Sequence, residues 1–409
     1  MGTTARVFIL IFIFASRLGS RFRYFSACLF CLLGIFCQTI LAQTNPPPAD
    51  PHEMVTRQPR TLTKPAERSA ALDILDRTRR NYDLHDISTP YALKVSFETS
   101  GGAQMEGDWT MEELSDGGSH WRWTAQLGDF QLIRIGADDR VYGTDPSEPV
   151  PMRVQLVRSA LLRPIWRNAG SLAMRAANFE RDGKQMSCLL LSGAIPPNPA
   201  PRSWYETEYC IDPATELLQT WSAAPGIFAV YDYNGAAEFH GHTLPREISI
   251  FEEGRLTVQA RVESLKDLSE VDPNLFKPTP EMVDEGGTFA LSTPKRLPMR
   301  VDPSDGPTST YFQPVIVHAI LDAQDGSVLD AEALQTSDRD LSRAAMDLVR
   351  NTAFEPSGFQ QEVFVNVQFH FPAARLDGPP LFHSSVRWVN LDHHGKFPPV
   401  RHPPPHPGK

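Results

Sequence analysis

YFQPVIVHAILDAQDGSVLDAEALQTSDRDLSRAAMDLVRNTAFEPSGFQQEVFVNVQFHF, residues 311–371, decides how the C-terminal part of this chain folds. Phe312 to Asp322 alternates with the two-residue period of a strand, placing Val315, Val317, Ala319 and Leu321 on one face. Asp325-Gly326 is the signal for a two-residue type I′ hairpin, and Ser327 to Leu334 supplies the returning strand. Ser337 is placed to cap a helix, with Asp340 three residues on as a capping-box partner. Leu341, Ala345, Leu348 and Thr352 share one helical face, and Arg350 lies near the C-terminal end, where a cation is favoured. Phe354-Glu355-Pro356 breaks the helix. Glu362 to Phe371 alternates again, turning Val363, Val365, Val367, Phe369 and Phe371 inward. The order is β-β-α-β, closing on a strand expected at the edge of its sheet.

That order resembles the C-terminal domain of TonB-type energy transducers. The likeness rests on Val315 to Val328 around the Asp-Gly turn, on Leu341-Ser342-Arg343-Ala344-Ala345, on Phe354-Glu355-Pro356-Ser357-Gly358, and on Val363 to Phe371. The resemblance implies that the last strand captures an extended peptide of an outer-membrane receptor or another envelope protein by strand addition, supporting transport across the envelope. The outward residues would be Glu362, Phe364, Asn366, Gln368 and His370, a polar face bearing one exposed aromatic. True transduction and a scaffold role with the same module both stay open, since no histidine precedes His52.

Upstream, the pattern changes to a long series of short strands. Tyr91 to Glu98, Gln104 to Glu113, Trp121 to Leu127, Phe130 to Ile135 and Arg140 to Gly143 alternate, and more follow at Ala173 to Arg181, Lys184 to Leu191, Glu206 to Cys210, Leu217 to Trp221 and Phe228 to Tyr233. Glu247 to Phe251 and Leu256 to Val262 flank the hairpin turn Glu252-Glu253-Gly254-Arg255. Met105, Trp109, Met111, Trp121, Trp123, Leu256, Val258 and Val262 fall on one face, which predicts an antiparallel, curved sheet with a single core side. Helices are expected at Glu67 to Tyr82 and Met152 to Ile165, on that side. This layout resembles the lipoprotein-carrier half-barrel of the LolA type, with local likeness at Tyr209 to Leu217 (strand, Asp212-Pro213, turn) and at Val271 to Pro278. It implies a periplasmic carrier of lipid or lipoprotein. Trp109, Trp121 and Trp123 would then line an apolar pocket, or else serve simply as core.

The fold class is therefore α+β: an antiparallel curved half-barrel sheet with helices on one face, plus a small β-β-α-β C-terminal domain. The expected organisation is a signal peptide or anchor over 1–42, a proline-rich tether over 43–66, the half-barrel over 67–276, a linker over 277–310, the C-terminal domain over 311–372, and a disordered Pro/His-rich tail over 373–409. The leader carries Arg6, Arg17, Arg21 and Arg23 as its only charges, then an apolar run from Phe25 to Leu41 and Ala42 before Gln43. Cleavage is the leading reading, an uncleaved inner-membrane anchor the other, and either puts the chain in the periplasm or cell envelope. The formal net charge of −10 becomes more negative without those arginines, which excludes nucleic acid as a partner class.

Three of the five cysteines lie in the leader, so Cys188 and Cys210 are an even pair in an exported chain and predict a disulfide. No chemistry-bearing constellation emerges elsewhere. Asp392-His393-His394, His402 and His406 sit in a proline-rich tail that fixes no ligand geometry. His240-Gly241-His242 reads as a turn, and Ser203-Trp204-Tyr205-Glu206 lacks a nucleophile elbow. Glu112-Glu113 and Glu252-Glu253 are expected to be solvated. The expectation is a binding protein, not an enzyme, with no cofactor and no bound metal.

Overall fold

The computed structural model describes residues 59–84, 87–100, 105–144, 150–162, 164–181, 184–193, 202–287, 295–302, 308–335, 339–358, 361–372 and 387–390. The leader, most of the proline tether and the tail histidines lie outside these residues. No helix among the described residues is long and apolar enough to cross a membrane.

A short strand β1 (Arg60–Thr61) and helix α1 (Pro65–Tyr82) precede a meander of β2 (Tyr91–Thr99), β3 (Gly107–Ser115), β4 (Trp121–Leu127), β5 (Phe130–Ala137) and β6 (Arg140–Gly143). After helix α2 (Met152–Leu162) come β7 (Ala173–Arg181), β8 (Lys184–Ser192), β9 (Thr207–Ile211), β10 (Leu218–Ala224) and β11 (Ile227–Asp232). A small hairpin of β12 (Ala237–Phe239) and β13 (His242–Leu244) leads to β14 (Glu247–Glu252), β15 (Arg255–Asp267) and β16 (Val283–Gly287). The C-terminal module holds β17 (Lys295–Asp302), β18 (Thr308–Leu321), β19 (Val328–Gln335), helix α3 (Arg339–Arg350), β20 (Gln361–Pro372) and β21 (Arg387–Asn390).

Fourteen strands form one sheet in the order β1-β7-β8-β9-β10-β11-β14-β15-β2-β3-β4-β5-β6-β16, with β1 and β16 at its two unclosed edges. Alternation decides which side is buried. Tyr91, Leu93, Val95 and Phe97 of β2 share a core with Trp109 and Met111 of β3, Trp121 and Trp123 of β4, and Val258, Ala260 and Val262 of β15. Helix α1 adds Ala71, Leu75 and Tyr82 to that core. Helix α2 buries Met152, Val154, Leu156, Val157, Ala160, Leu161 and Leu162, and with them Arg153, leaving only Gln155, Arg158 and Ser159 partly exposed. Its Arg158 reaches Glu113 on β3, while its Ala160 carbonyl accepts a 3.0 Å hydrogen bond from Tyr231 on β11. Two strands so far apart in the order would lie roughly 20 Å apart in a flat sheet. One helix touches both because the sheet curls round it.

One inward assignment is corrected. Leu256 is exposed, because a register shift between Ile250 and Phe251 in the β14–β15 pairing turns it out and brings Thr257 and Val258 in together. Met105 does pack against the core, but from left-handed backbone at φ 60° before β3 and not from the strand's alternation, and its carbonyl accepts the Trp109 indole N–H at 3.1 Å. At Gly136 the reason for glycine is direct, since a Cβ there would sit 2.2 Å from the Trp121 ring.

The C-terminal sheet runs β19-β18-β20-β17-β21. Its β-β-α-β order follows the sequence, but the sheet is larger than residues 311–372. Part of the expected linker contributes β16 to the large sheet and β17 to the small one, and β21 comes from the expected tail. The consequence is decisive for β20. It pairs antiparallel with β18 on one side and parallel with β17 on the other, so it is an interior strand and not the expected edge. Helix α3 covers one face with Leu341, Ala345 and Val349 against Val315, Val317, Val363 and Val365. The turn also differs from a two-residue type I′ hairpin. Asp322 N–H donates to the Ser327 carbonyl, leaving Ala323 to Gly326 as the loop, and only Gly326 has positive φ, 70°. A Cβ on Gly326 would strike the Phe354 carbonyl at 2.1 Å, which ties that glycine to the chain's exit from α3. Residues 336–338, with the expected Ser337 cap, lie outside the described residues.

Candidate functional site

Three features merit a functional reading: the concave face under α2, the face of the small sheet turned away from α3, and the polar cluster around the cysteines.

On the concave face, Trp109, Trp121 and Trp123 are 1%, 9% and 2% exposed, so all three are core before they are anything else. Trp109 stacks on Phe97 with centroids 5.8 Å apart and meets Phe130 edge-on at 5.7 Å. Trp121 and Trp123 flank the Arg158 guanidinium, whose carbon lies 4.4 Å and 4.8 Å from their ring centroids. Arg158 also donates to Glu113 at 2.8 Å. Arg134, 5.9 Å from the Trp123 ring centroid, pairs with Glu285 at 2.8 Å, and burial pulls its pKa down against the pull of that carboxylate.

Helix α2 is thus pinned at two points by guanidinium groups. The second is Arg153 in its first turn, 3% exposed at the side chain. Arg153 donates to Glu252 at 2.7 Å, to the Ser100 carbonyl at 2.8 Å, and to Glu332 of β19 at 2.6 Å. One guanidinium therefore joins the lid helix, the end of β14, the segment after β2 and the C-terminal module. The carboxyl of Glu332 is held above the usual range, first by burial and then by the neighbouring Glu252 carboxylate, with Arg153 opposing. Beside this triad lies a narrow, nearly filled cleft of about 10 Å³, floored by Met105, Trp109 and Met152 and rimmed by Asp330 and Glu332.

Glu113 and Glu252, expected to be solvated, are both 0% exposed. The signal was present in the strands that hold them. Trp109, Met111 and Glu113 share a parity, as do Ile248, Ile250 and Glu252, so both acids continue an inward face. Proximity to a turn suggested solvent, and parity overrode it because a buried arginine from α2 meets each carboxylate. No sequence signal paired Arg153 or Arg158 with these acids.

The second feature is the face expected to bind a partner. Glu362, Phe364, Asn366, Gln368 and His370 lie along an interior strand, and Phe364 is 0% and Asn366 3% exposed. Phe364 stacks on His318 with centroids 4.7 Å apart, and His318 bonds Glu362 at 2.7 Å. Ile316, Leu334 and Phe364 belong to the half-barrel's apolar core, not to the core under α3. The aromatic that looked solvent-facing is covered within the same chain.

Around the third feature, Cys188 of β8 and Cys210 of β9 are directly opposite in register and joined as a disulfide, with Cα atoms 4.0 Å apart. Glu208, fully buried, places Oε1 3.7 Å from Cys210 Sγ. Arg202 is 3.3 Å from the same carboxylate, yet its N–H groups donate to Ser222 and to the Glu206 carbonyl. Desolvation accordingly wins over the nearby cation, with the Glu206 charge adding to it, and the Glu208 pKa is pushed up to about 7. Glu206 itself receives two 3.1 Å bonds from buried Arg175. Cys188, Glu208 and Cys210 are the only group with metal-ligand proximity among the described residues, and the disulfide occupies both sulfurs.

His240 and Gly241 form the β12–β13 turn with positive φ, and His240 bonds Asp267 at 2.7 Å. This is a surface turn, not a ligand pair. The tail histidines lie outside the described residues.

No protein-family model matches the chain, and no curated protein resembles it in sequence. Among solved structures, similarity is found to a LolA superfamily protein from Nitrosomonas europaea, at 13% identity over 51% of this chain and 97% of that one, with TM-score 0.37. It is also found to MucB in the Pseudomonas aeruginosa MucA/MucB complex, at 15% identity over 53% and 63%, TM-score 0.24, and to another MucB structure at 14% over 65% and 74%, TM-score 0.25. At these scores the likeness assigns no family.

Proposed function

We propose that this is an exported envelope protein that works by binding, with the concave face of the half-barrel as the site for an apolar, acyl-bearing ligand such as a lipid or lipoprotein. The observation that carries the reading is the construction of that face. A curled, open sheet turns Trp109, Met105 and Met152 toward a cleft, under a helix that is held by polar contacts at Arg153 and Arg158. The helix makes no backbone ladder with the sheet, so a shift against the packing of Val154, Leu156, Val157, Ala160, Leu161 and Leu162 would leave the strand pairing intact and uncover apolar surface. The pairing of Cys188 with Cys210 suits an oxidising compartment such as the periplasm. No catalytic role is proposed. Capture of an extended receptor peptide along β20 is set aside, because both sides of that strand are already paired.

The test is titration of the purified protein with a dansylated fatty acid and with a diacylated lipopeptide, read by energy transfer from tryptophan. Saturable transfer that Met152→Phe, which narrows the cleft without adding a donor, weakens would support the reading. Absence of saturable binding by either probe, with the protein folded, would remove it.

A further inference from the structure

We propose that the C-terminal module is a latched cover over the Trp109 end of the concave face, with Arg153 as the latch, so that the module and helix α2 are released together. The inference rests on the acyl-binding reading only for what enters once the cover lifts.

The geometry places the cover where an entry would be. The cleft has its apolar floor on the half-barrel and its acidic rim on β19, so the module closes one side of it. Arg153 is shared: the same guanidinium that fastens α2 to Glu252 also holds Glu332, so the module and α2 meet at one side chain. Around the latch the contact is modest. Ile316, Leu334 and Phe364 are the module's only members of the half-barrel core among the described residues. On the same face of the small sheet, His318 Nδ1 and Asn366 Oδ1 are buried without a hydrogen-bond partner. Buried polar atoms left unpaired weaken an interface. Both features suit a surface that parts. The connection from β16 to β17 is residues 288–294, which caps the separation at about 25 Å and keeps the module close enough to re-dock.

Hydrogen exchange of the full chain, read by mass spectrometry, tests this with Glu332→Arg, which sets a second guanidinium against Arg153. The expected result is exchange about tenfold faster or more in peptides covering 105–111, 152–158 and 314–320, with the β15–β2 centre unchanged. Unchanged protection would overturn the proposal, since the module would then be held without the latch. Loss of protection throughout would overturn it as well, because a cover must lift from a folded half-barrel. Glu332→Ala, which removes the contact without adding charge, repeats the measurement and should give a smaller change in the same peptides. Dansylated fatty acid added to the opened variant separates the two readings. Tighter binding than wild type supports both, whereas opening without binding supports the cover and removes the acyl ligand alone.

Discussion

Arg153 donates to Glu332 across 2.6 Å, joining residues 179 positions apart, and it does so while holding Glu252 on its other side. The three groups are not equivalent. Glu252 is 0% exposed at its side chain and Glu332 18%, and the latter is the one whose carboxyl is pushed toward its neutral form. With Glu332 protonated, the triad reduces to one cation and one anion. That is the arrangement a poorly solvated pocket tolerates best.

Removing the cation should therefore cost far more than removing the outer acid. Arg153→Met leaves Glu252 buried and unpaired and is expected to destabilise by about 3–5 kcal/mol, whereas Arg153→Met with Glu252→Met should recover much of that. Urea unfolding of Arg153→Met, Glu252→Met and the double variant checks it. A double loss equal to the sum of the two single losses would mean that the pair is not coupled.

Trp109 anchors the aromatic stack with Phe97 and Phe130, and its indole N–H fixes the left-handed turn at Met105. Trp109→Ala should cost about 3–5 kcal/mol by thermal or chemical denaturation. A loss below about 1 kcal/mol would show that the ring lines solvent-accessible space.

Glu208 makes stability depend on pH in a defined direction. Its folded pKa, pushed up to about 7, exceeds its ordinary value of 4.5, so the native state binds the proton more tightly than the unfolded chain does. The associated stability is complete below about pH 4.5 and is lost as pH rises through about 7. Glu208→Gln should match wild type near pH 4.5 and exceed it at pH 8, by an amount on the order of 3 kcal/mol. Urea midpoints at the two pH values decide the matter. Parallel pH profiles for the two proteins would show that folding does not shift the Glu208 carboxyl.

The Cys188–Cys210 disulfide spans a sequence separation of 22. Cys188→Ser with Cys210→Ser should lower stability by on the order of 3 kcal/mol. Mass spectrometry of unreduced protein should find neither Cys188 nor Cys210 alkylated by iodoacetamide. Alkylation at both would contradict the bond.

Asn366 pairs with Ile316 on one side and Pro298 on the other. Asn366→Pro therefore disrupts an interior strand and should unfold the C-terminal module, at a cost of about 3 kcal/mol or more. A folded module in circular dichroism and hydrogen exchange would return β20 to an edge.

What the sequence determined by itself was everything that depends on neighbours along the chain. Period-two alternation in Tyr91 to Glu98 and Trp121 to Leu127 set which side chains face the core. Glu253-Gly254 set one hairpin and Gly326 the other, through backbone that only a few residues adopt readily. The β-β-α-β order from Val315 to Phe369 was legible for the same reason. Tertiary structure alone decided what lies beside each element. β17 comes from a stretch whose prolines suggested a linker, yet it occupies the flank of β20 that looked free, and Phe364 on a polar strand proved to be covered by the half-barrel. Buried carboxylates at Glu113 and Glu252 depended on arginines from α2, and nothing in local spacing encodes that meeting. Charges enter a core only in company, and the company here is supplied by residues 45 and 99 positions away.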